Sequence, residues 1–207
     1  MIDTDSVEYV GSHGTTVTKY LDIKKNGFRL GSGVRGKGIY FWENNVYAKD
    51  LAFAWYVTAT RQKDSPYRND QKKECAIIWA ILDADKDEII DFNSKIYRDQ
   101  ILNLIKNLKC DDNREGAYKL YDTCIDMIEA ELGYKIKFII TEVYPPTGKL
   151  RIFPTQMYGM APCLVAREPS CINLLSCDII KQFNVYDNIA VNQVLEEIKN
   201  ETQPKSA

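Results

Sequence analysis

Glycine is concentrated in one early stretch of the chain: seven of the eleven glycines lie between residues 11 and 38. Glycine tolerates positive φ, and its missing Cβ lets the main chain approach a neighbouring strand or a ligand closely. The same stretch holds the chain's one histidine, His13, followed by Gly14 and Thr15. We therefore expect this part of the sequence to form tight turns and to contain a candidate binding site.

Length and composition limit the class of protein. The 207 residues are 45% hydrophobic and 27% charged, with a net charge of −2, as in an ordinary globular domain. No apolar run approaches the roughly 18–20 residues of a membrane span, and the N-terminus lacks the basic and apolar segments of a signal peptide. We predict a cytoplasmic protein with no membrane partner. Its net charge argues against a general attraction of the whole surface to nucleic acid.

The six cysteines predict neither a disulfide framework nor a metal site. They contain no C-x-x-C pair, and one histidine cannot complete a zinc set with them. Several, such as Cys75 and Cys124, lie in apolar surroundings. This pattern indicates buried free thiols in a reducing compartment, and we expect no bound metal.

Segments with helical and with strand patterns are interspersed along the chain and predict an α+β fold. Strands are predicted at 7–11, 38–42, 75–82, 137–144, 149–153 and 161–166, and helices at 16–25, 46–62, 94–109, 114–132 and 187–199. Residues 31–33 are predicted to be a loop. The domain is expected to span residues 1–180, with a loop at 61–73 and a helical insertion at 94–132. A C-terminal helix within 181–201 and a loose tail at 202–207 would follow.

Three motifs follow one another in the glycine-rich stretch: Ser12-His13-Gly14-Thr15, Asn26-Gly27-Phe28-Arg29-Leu30 and Gly36-Lys37-Gly38-Ile39-Tyr40-Phe41. In this order they resemble the first half of the ADP-ribosyltransferase fold, in its diphtheria-toxin and poly(ADP-ribose) polymerase branch. Residues 161–172 resemble the closing strand of bacterial proteins with the same His-Gly-Thr opening. The resemblance covers most of residues 7–180. It implies split, mixed and antiparallel β-sheets with flanking helices.

The resemblance also implies which residues bind NAD, the co-substrate. Backbone groups of Gly14 would bind the nicotinamide carboxamide, and His13 would hydrogen-bond a ribose. Tyr40 would stack on the nicotinamide ring, and Arg29 would lie near the pyrophosphate or the adenosine. The other implied cofactor-binding residues are Thr15, Gly38, Phe41 and Trp42. His13 and Tyr40 would be catalytic because the glycosidic bond breaks toward an oxocarbenium-like ribose, which requires an oriented NAD and stabilised positive charge.

The sequence leaves several candidates for the third catalytic residue. In the polymerase branch the closing strand carries a glutamate that holds the ribose hydroxyl, and in the bacterial group a glutamine often stands there. Counted back from Arg167, this chain has Cys163 at that position, and a thiol cannot bond the hydroxyl as a carboxylate or amide would. Gln156 is the candidate we select, with Glu168 and Glu142 as alternatives.

The implied activity is transfer of ADP-ribose from NAD to a macromolecular acceptor, a nucleic acid or a protein. A small cytoplasmic enzyme of this kind fits a bacterial toxin or anti-phage effector, held inactive by a neutralising antitoxin protein. A cluster of six cations favours a nucleic-acid acceptor: Lys19, Lys24, Lys25, Arg29, Arg35 and Lys37. The alternatives are a catalytically degenerate module that binds NAD or ADP-ribose, and an NAD glycohydrolase.

Each of these residues also has a purely structural interpretation. His13 would then bond a nearby carbonyl group within the core, and Tyr40 and Trp42 would be core aromatics. Arg29 and the other cations would belong to a solvated face.

Overall fold

The computed structural model of the protein describes residues 5–108, 114–146, 155 and 159–180. Over these residues four α-helices flank a mixed sheet of eight strands, which confirms the predicted α+β class. Four predictions lie outside the described residues: the strand at 149–153, Gln156, the C-terminal helix and the tail. Within the described ranges, none of the helices combines the length and the apolarity that a bilayer crossing requires.

The elements follow one another along the chain as four helices and eight strands within the described ranges. The strands are β1 (Ser6–Thr16), β2 (Gly31–Gly33), β3 (Gly36–Glu43), β4 (Cys75–Asp85), β5 (Ile89–Asp91), β6 (Phe138–Val143), β7 (Ala161–Ala166) and β8 (Ile172–Ile180). The helices are α1 (Val17–Asn26), α2 (Ala48–Arg61), α3 (Lys95–Leu108) and α4 (Arg114–Leu132).

The strand order is β5-β6-β7-β3-β1-β4-β8, and β2 pairs with β3 outside this path. All pairs are antiparallel except β5 with β6. β1 pairs with β4 along its whole length, but its ladder with β3 has only two pairs, Gly11–Glu43 and Ser12–Trp42. Beyond Ser12 the two strands remain neighbours without a ladder. We call this place the β1–β3 opening; it divides the sheet into two halves.

The two faces of the sheet bury different cores because side chains alternate along a strand. On the helix face, alternate residues of β3 and β7 such as Trp42, Cys163 and Val165 pack beneath α2, α3 and α4. On the opposite face Phe41 and Leu164 pack with a second set that includes Phe28 and Leu30 from the segment after α1. The Ser12 hydroxyl donates to the carbonyl oxygen of Ala48 (2.7 Å) and ties β1 to α2.

Local chemistry explains where the predicted helices begin and end. Thr16 caps α1, since its side chain accepts a hydrogen bond from the amide of Lys19 (3.2 Å). Gly27 follows α1 with φ 76° and Gly133 follows α4 with φ 78°, a backbone region that favours glycine. The helices predicted at 94–109 and 114–132 correspond to α3 and α4, which pack on the sheet.

Four strand predictions were incomplete or wrong, among them β5, which was not predicted. β1 continues to Thr16, so His13 lies inside the strand, although we predicted that the strand would end before it. Residues 31–33 form β2, where a loop was predicted, because they pair with Gly36–Gly38 in a hairpin. β8 was not predicted: it is an edge strand beside β4, and most of its side chains are exposed, so the apolar pattern of a buried strand is missing.

Candidate functional site

His13 closes part of the β1–β3 opening with its own side chain. Its Nδ1 lies 2.9 Å from the carbonyl oxygen of Tyr40. A carbonyl group only accepts hydrogen bonds, so Nδ1 carries the proton and donates it. Burial lowers the pKa of His13 below its usual value, against the opposing effect of this hydrogen bond, so the ring is neutral at pH 7. In this tautomer Nε2 is an acceptor, and none of the described residues hydrogen-bonds to it.

The backbone of Gly14 faces the same opening. In an antiparallel strand the N–H and C=O groups of one residue point to the same neighbouring strand, and successive residues alternate. The amide of Asn44 donates to the carbonyl oxygen of Val10 (2.9 Å), so Val10, Ser12 and Gly14 direct their main-chain groups toward β3. Gly14 lies two residues beyond the last β1–β3 pair. The opening therefore contains one amide donor and one carbonyl acceptor beside His13.

Gly14 is glycine because α2 packs against it. A Cβ placed there would lie 1.8 Å from the carbonyl oxygen of Ala52. The Tyr67 hydroxyl lies 3.4 Å from the Gly14 carbonyl oxygen, longer than a typical O–H···O bond. This carbonyl oxygen retains a lone pair for a second donor.

The Tyr40 hydroxyl is fully engaged within the β2–β3 hairpin. It donates to the carbonyl oxygen of Gly36 (2.7 Å) and accepts from the amide of Arg35 (2.9 Å). Burial raises the pKa of Tyr40 well above its usual value, so the phenol stays protonated and is not a base. What this partly buried side chain can offer a ligand is the face of its ring.

The side chains of His13 and Tyr40 lie on opposite faces of the sheet. The His13 ring packs against Phe28 and Phe41, at centroid distances of 5.5 and 5.6 Å. Phe41 adjoins Tyr40 in β3, so their side chains point in opposite directions, and Tyr40 packs on the helix face. A ligand that touches both residues must therefore cross the sheet through the β1–β3 opening.

The structure places the other predicted cofactor-binding residues in different surroundings. Phe41 is completely buried, and Thr15 and Trp42 are buried as well, Trp42 in the core on the helix face. Gly38 lies against β7, since a Cβ there would approach Val165 Cγ1 to 2.4 Å. Arg29 is exposed and pairs with Asp22 of α1 at 3.5 Å. The structure thus brings together His13, Gly14 and the main chain of Tyr40, while the remaining four side chains and Gly38 serve packing or face solvent.

Cys163, at the position of the expected third catalytic residue, is a buried core thiol. It stands in β7 between Trp42 of β3 and Thr141 of β6, with 1% of its surface exposed. Burial raises the pKa of this thiol to about 12, so it is neutral. Among the alternatives, Glu142 alternates with Thr141 and therefore directs its side chain to the opposite face. Glu168 follows β7, where its amide donates to the carbonyl oxygen of Lys137 (3.1 Å).

Arg35 is a residue of this region that sequence reasoning counted only as one of several cations. From the tip of the β2–β3 hairpin its Nε and Nη2 donate to the carbonyl oxygen of Glu142 at 3.1 and 2.8 Å, and Nε also lies 3.2 Å from Thr141 Oγ1. Its guanidinium carbon lies 4.9 Å above the ring of Tyr121 in α4. Arg35 thus fixes the hairpin, and with it Tyr40, over Cys163 on the helix face. A charged residue between glycines has no local signal that distinguishes this role from a solvated one.

Two comparisons with known proteins found no match, so the functional interpretation rests on the residues of the chain. No protein-family model matches the chain, and no curated protein matches its sequence. Within the described ranges, no cluster of three or more histidine, cysteine or acidic residues could hold a metal ion.

Proposed function

We propose that this chain is an ADP-ribosyltransferase that binds NAD across the β1–β3 opening and transfers its ADP-ribose to a macromolecular acceptor. The observation that carries the proposal is the juxtaposition, in that opening, of the Gly14 main chain and the His13 ring, whose Nδ1 is hydrogen-bonded to Tyr40 and whose Nε2 remains an acceptor. The nicotinamide carboxamide has one acceptor and two donor hydrogens, which complement the amide and carbonyl groups of Gly14. A ribose hydroxyl is a donor that suits Nε2.

Tyr40 would contribute the face of its ring. Its hydroxyl is satisfied by Gly36 and Arg35, so an aromatic contact is the interaction that remains for a nicotinamide ring. Nicotinamide would lie on the helix face and the ribose near His13, with the dinucleotide passing through the opening. This placement uses residues from both faces and explains why the ladder stops after two pairs.

The chemical step follows from this placement. The bond between the ribose C1′ and the nicotinamide nitrogen breaks, and nicotinamide leaves with the electron pair. The acceptor nucleophile then forms a bond to C1′ and loses its proton to the solvent. Holding both ends of NAD lowers the entropic cost of reaching this geometry. Gly14 and Nε2 act by orientation and hydrogen bonding, and neither changes its protonation state.

The buried, neutral thiol of Cys163 favours a second candidate, a catalytically degenerate module that binds NAD or ADP-ribose without turnover. A neutral thiol is a poor acceptor for the ribose hydroxyl that a carboxylate would hold. A third outcome, hydrolysis of NAD with water as the acceptor, requires the same binding site.

The test is incubation of the protein with NAD labelled in its adenylate half, together with cell extract. Nicotinamide release and label on protein, RNA and DNA are measured separately. Release with label on a macromolecule supports the transferase, release without label indicates a glycohydrolase, and binding without release indicates the degenerate module. Absence of both binding and release would overturn the proposal.

Variants at Tyr40 test the assigned site directly. Tyr40→Phe keeps the ring and should retain most nicotinamide release, whereas Tyr40→Ala should lose tenfold or more, a factor that corresponds to about 1.4 kcal/mol. The control is Tyr144→Ala, which truncates an exposed tyrosine. Equal release by Tyr40→Ala and the control would remove Tyr40 from the site.

A further inference from the structure

Residues 62–74 form a loop that is fixed to the end of β1, beside Gly14. Two buried residues anchor it. Tyr67 packs on Tyr56 of α2, with ring centroids 6.1 Å apart, and directs its hydroxyl toward Gly14. Asp70 accepts a hydrogen bond from Thr16 Oγ1 and lies 3.7 Å from Lys19 Nζ. An aromatic and a carboxylate buried within an otherwise exposed polar loop indicate an ordered structure.

Main-chain hydrogen bonds join this loop to the first turn of α1. The amide of Val17 donates to the carbonyl oxygen of Glu74 (3.0 Å), and the amide of Thr18 to that of Lys72 (3.2 Å). The amide of Lys72 in turn donates to Thr18 Oγ1 (2.8 Å). Residues 17–29 and 61–74 therefore form one continuous surface at the edge of the candidate site. We call it the α1–loop surface.

This surface is strongly basic although the chain is slightly acidic. It carries nine cations and four carboxylates: Lys19, Lys24, Lys25, Arg29, Arg61, Lys63, Arg68, Lys72 and Lys73, against Asp22, Asp64, Asp70 and Glu74. Asp70 pairs with Lys19 and Asp22 pairs with Arg29, so seven cations and two carboxylates remain outside these two ion pairs. Arg35 and Lys37, which belonged to the cluster in the sequence, lie in the β2–β3 hairpin, where the Arg35 side chain donates to Glu142 of β6 and the Lys37 main-chain amide donates to Asp122.

The composition of the surface distinguishes between two kinds of acceptor. Protein interfaces are enriched in aromatic residues at their core and depleted in lysine. The α1–loop surface has one large hydrophobic side chain that is exposed, Leu21; apart from Pro66 its other exposed side chains are polar, and many are lysines and arginines. Such a surface matches a phosphodiester backbone, which is bound through charge.

We propose that the α1–loop surface binds single-stranded nucleic acid and delivers one unpaired base to the β1–β3 opening, where that base is the ADP-ribose acceptor. The proposal rests on the proposed function, because it names the acceptor of the same reaction. A paired base cannot reach a site within the protein until it leaves the stack. The Tyr67 hydroxyl lies at the Gly14 carbonyl oxygen, so the loop that carries Lys63, Arg68, Lys72 and Lys73 adjoins the opening, and a nucleic-acid backbone bound to the loop would pass it.

The first experiment measures binding by the full chain of a fluorescent 20-nucleotide single-stranded RNA, the same DNA sequence and its duplex, over a range of salt concentrations. The triple variant Arg68→Glu, Lys72→Glu, Lys73→Glu reverses three exposed cations of the loop. The control Lys95→Glu, Arg98→Glu, Lys106→Glu reverses three exposed cations of α3. We expect the loop variant to bind single strands at least tenfold more weakly, with a salt slope reduced by about two, since each lost phosphate contact removes ~0.7. The control variant should lose less than threefold.

The second experiment separates this inference from the proposed function. Nicotinamide release into water by the loop variant should equal that of the natural chain, while labelling of nucleic acid is lost. Wild-type affinity of the loop variant, equal binding of duplex and single strand, or label on a protein that depends on the same cations would each overturn the inference. If single strands bind but NAD is not cleaved, the proposed function fails and the acceptor role fails with it, whereas the binding surface stands. Preferential labelling of RNA or of DNA identifies which nucleic acid is modified.

Discussion

The imidazole of His13 donates a hydrogen bond to the main-chain oxygen of Tyr40 across the β1–β3 opening, while the two side chains occupy opposite faces of the sheet. The carbonyl group would pair with β1 if the ladder continued. Because the imidazole donates to this carbonyl oxygen in place of the Gly14 amide, the Gly14 main chain is left facing the opening. One hydrogen bond thus links the packing of the sheet to the candidate site.

The neutral state of His13 predicts a dependence of stability on pH. Burial holds the pKa of His13 below the unfolded value of about 6.5, so between these two values the unfolded state binds more protons than the folded state. The contribution of neutral His13 to the free energy of unfolding should therefore be complete above pH 6.5. It should decrease as the pH falls toward the folded pKa, by up to about 1.4 kcal/mol per pH unit.

The variant His13→Gln isolates this effect, since it removes the only imidazole. Burial raises the pKa values of Glu43 and Asp50, and these carboxyl groups oppose the trend at lower pH in both proteins. Urea denaturation from pH 5 to pH 8 should give a difference between the two proteins that grows as the pH rises. A constant difference would mean that His13 titrates normally in the folded state.

Two glycine positions of the sheet should not tolerate even the smallest side chain, the methyl group of alanine. In Gly14→Ala the new Cβ would meet the Ala52 carbonyl oxygen, and in Gly38→Ala it would meet Val165 and the Ala166 carbonyl oxygen at 2.8 Å. We expect each change to lower the free energy of unfolding by about 3 kcal/mol, because main-chain atoms must move. Gly31→Ala is the control: its nearest neighbour lies at 3.7 Å, so a change within ~0.5 kcal/mol is expected. Three similar denaturation midpoints would contradict the close packing of these strands.

Arg35 should stabilise the hairpin that carries Tyr40. Arg35→Ala removes charge-assisted hydrogen bonds to Glu142 and the contact with Tyr121, and should lower the free energy of unfolding by about 2–3 kcal/mol. Arg35→Lys should recover only part of this, since an ammonium group lacks the planar pair of donors. The exposed arginine Arg29 supplies the control, Arg29→Ala, with an expected loss below ~0.5 kcal/mol.

Hydrogen exchange adds a local measurement for the same variants. In Arg35→Ala the amides of β2 and β3 should exchange faster, and those of β4 should keep their protection. If the amides of β4 exchanged faster to the same extent as those of β2 and β3, Arg35 would act on the whole domain and would have no specific effect on the hairpin.

Cys163 should be unreactive in the folded protein. Its pKa is raised to about 12 and its surface is covered, and the thiolate is the reactive form. Cys177 is partly exposed and serves as the internal reference. With iodoacetamide at pH 8, peptide mapping should show modified Cys177 first and modified Cys163 only after denaturation. Early modification of Cys163 would show that the hairpin does not cover it.

The candidate site was only partly predictable from the sequence. The motif around His13 and Gly14 drew attention to the correct place because a glycine next to a single histidine is a local feature. The alternation of the Tyr40 and Phe41 side chains in a strand was also predictable, but it did not indicate on which face of the sheet the His13 side chain would lie. The roles of Arg35 and Tyr67 depend on partners 107 and 53 residues away along the chain, and no local pattern encodes them. The activity itself, the third catalytic residue and the antitoxin partner stay predictions.

By itself, the sequence determined what depends on near neighbours: the α+β class, the ends of α1 and α4, and the position of β7. Caps, glycine turns and apolar periodicity act over a few residues, so they can be read without knowing the fold. Only the tertiary structure decided that the β1–β3 ladder stops after two pairs, that Cys163 is covered and that the basic loop lies beside Gly14. These features depend on which strands and loops become neighbours, and that choice is made by the packing of the whole domain.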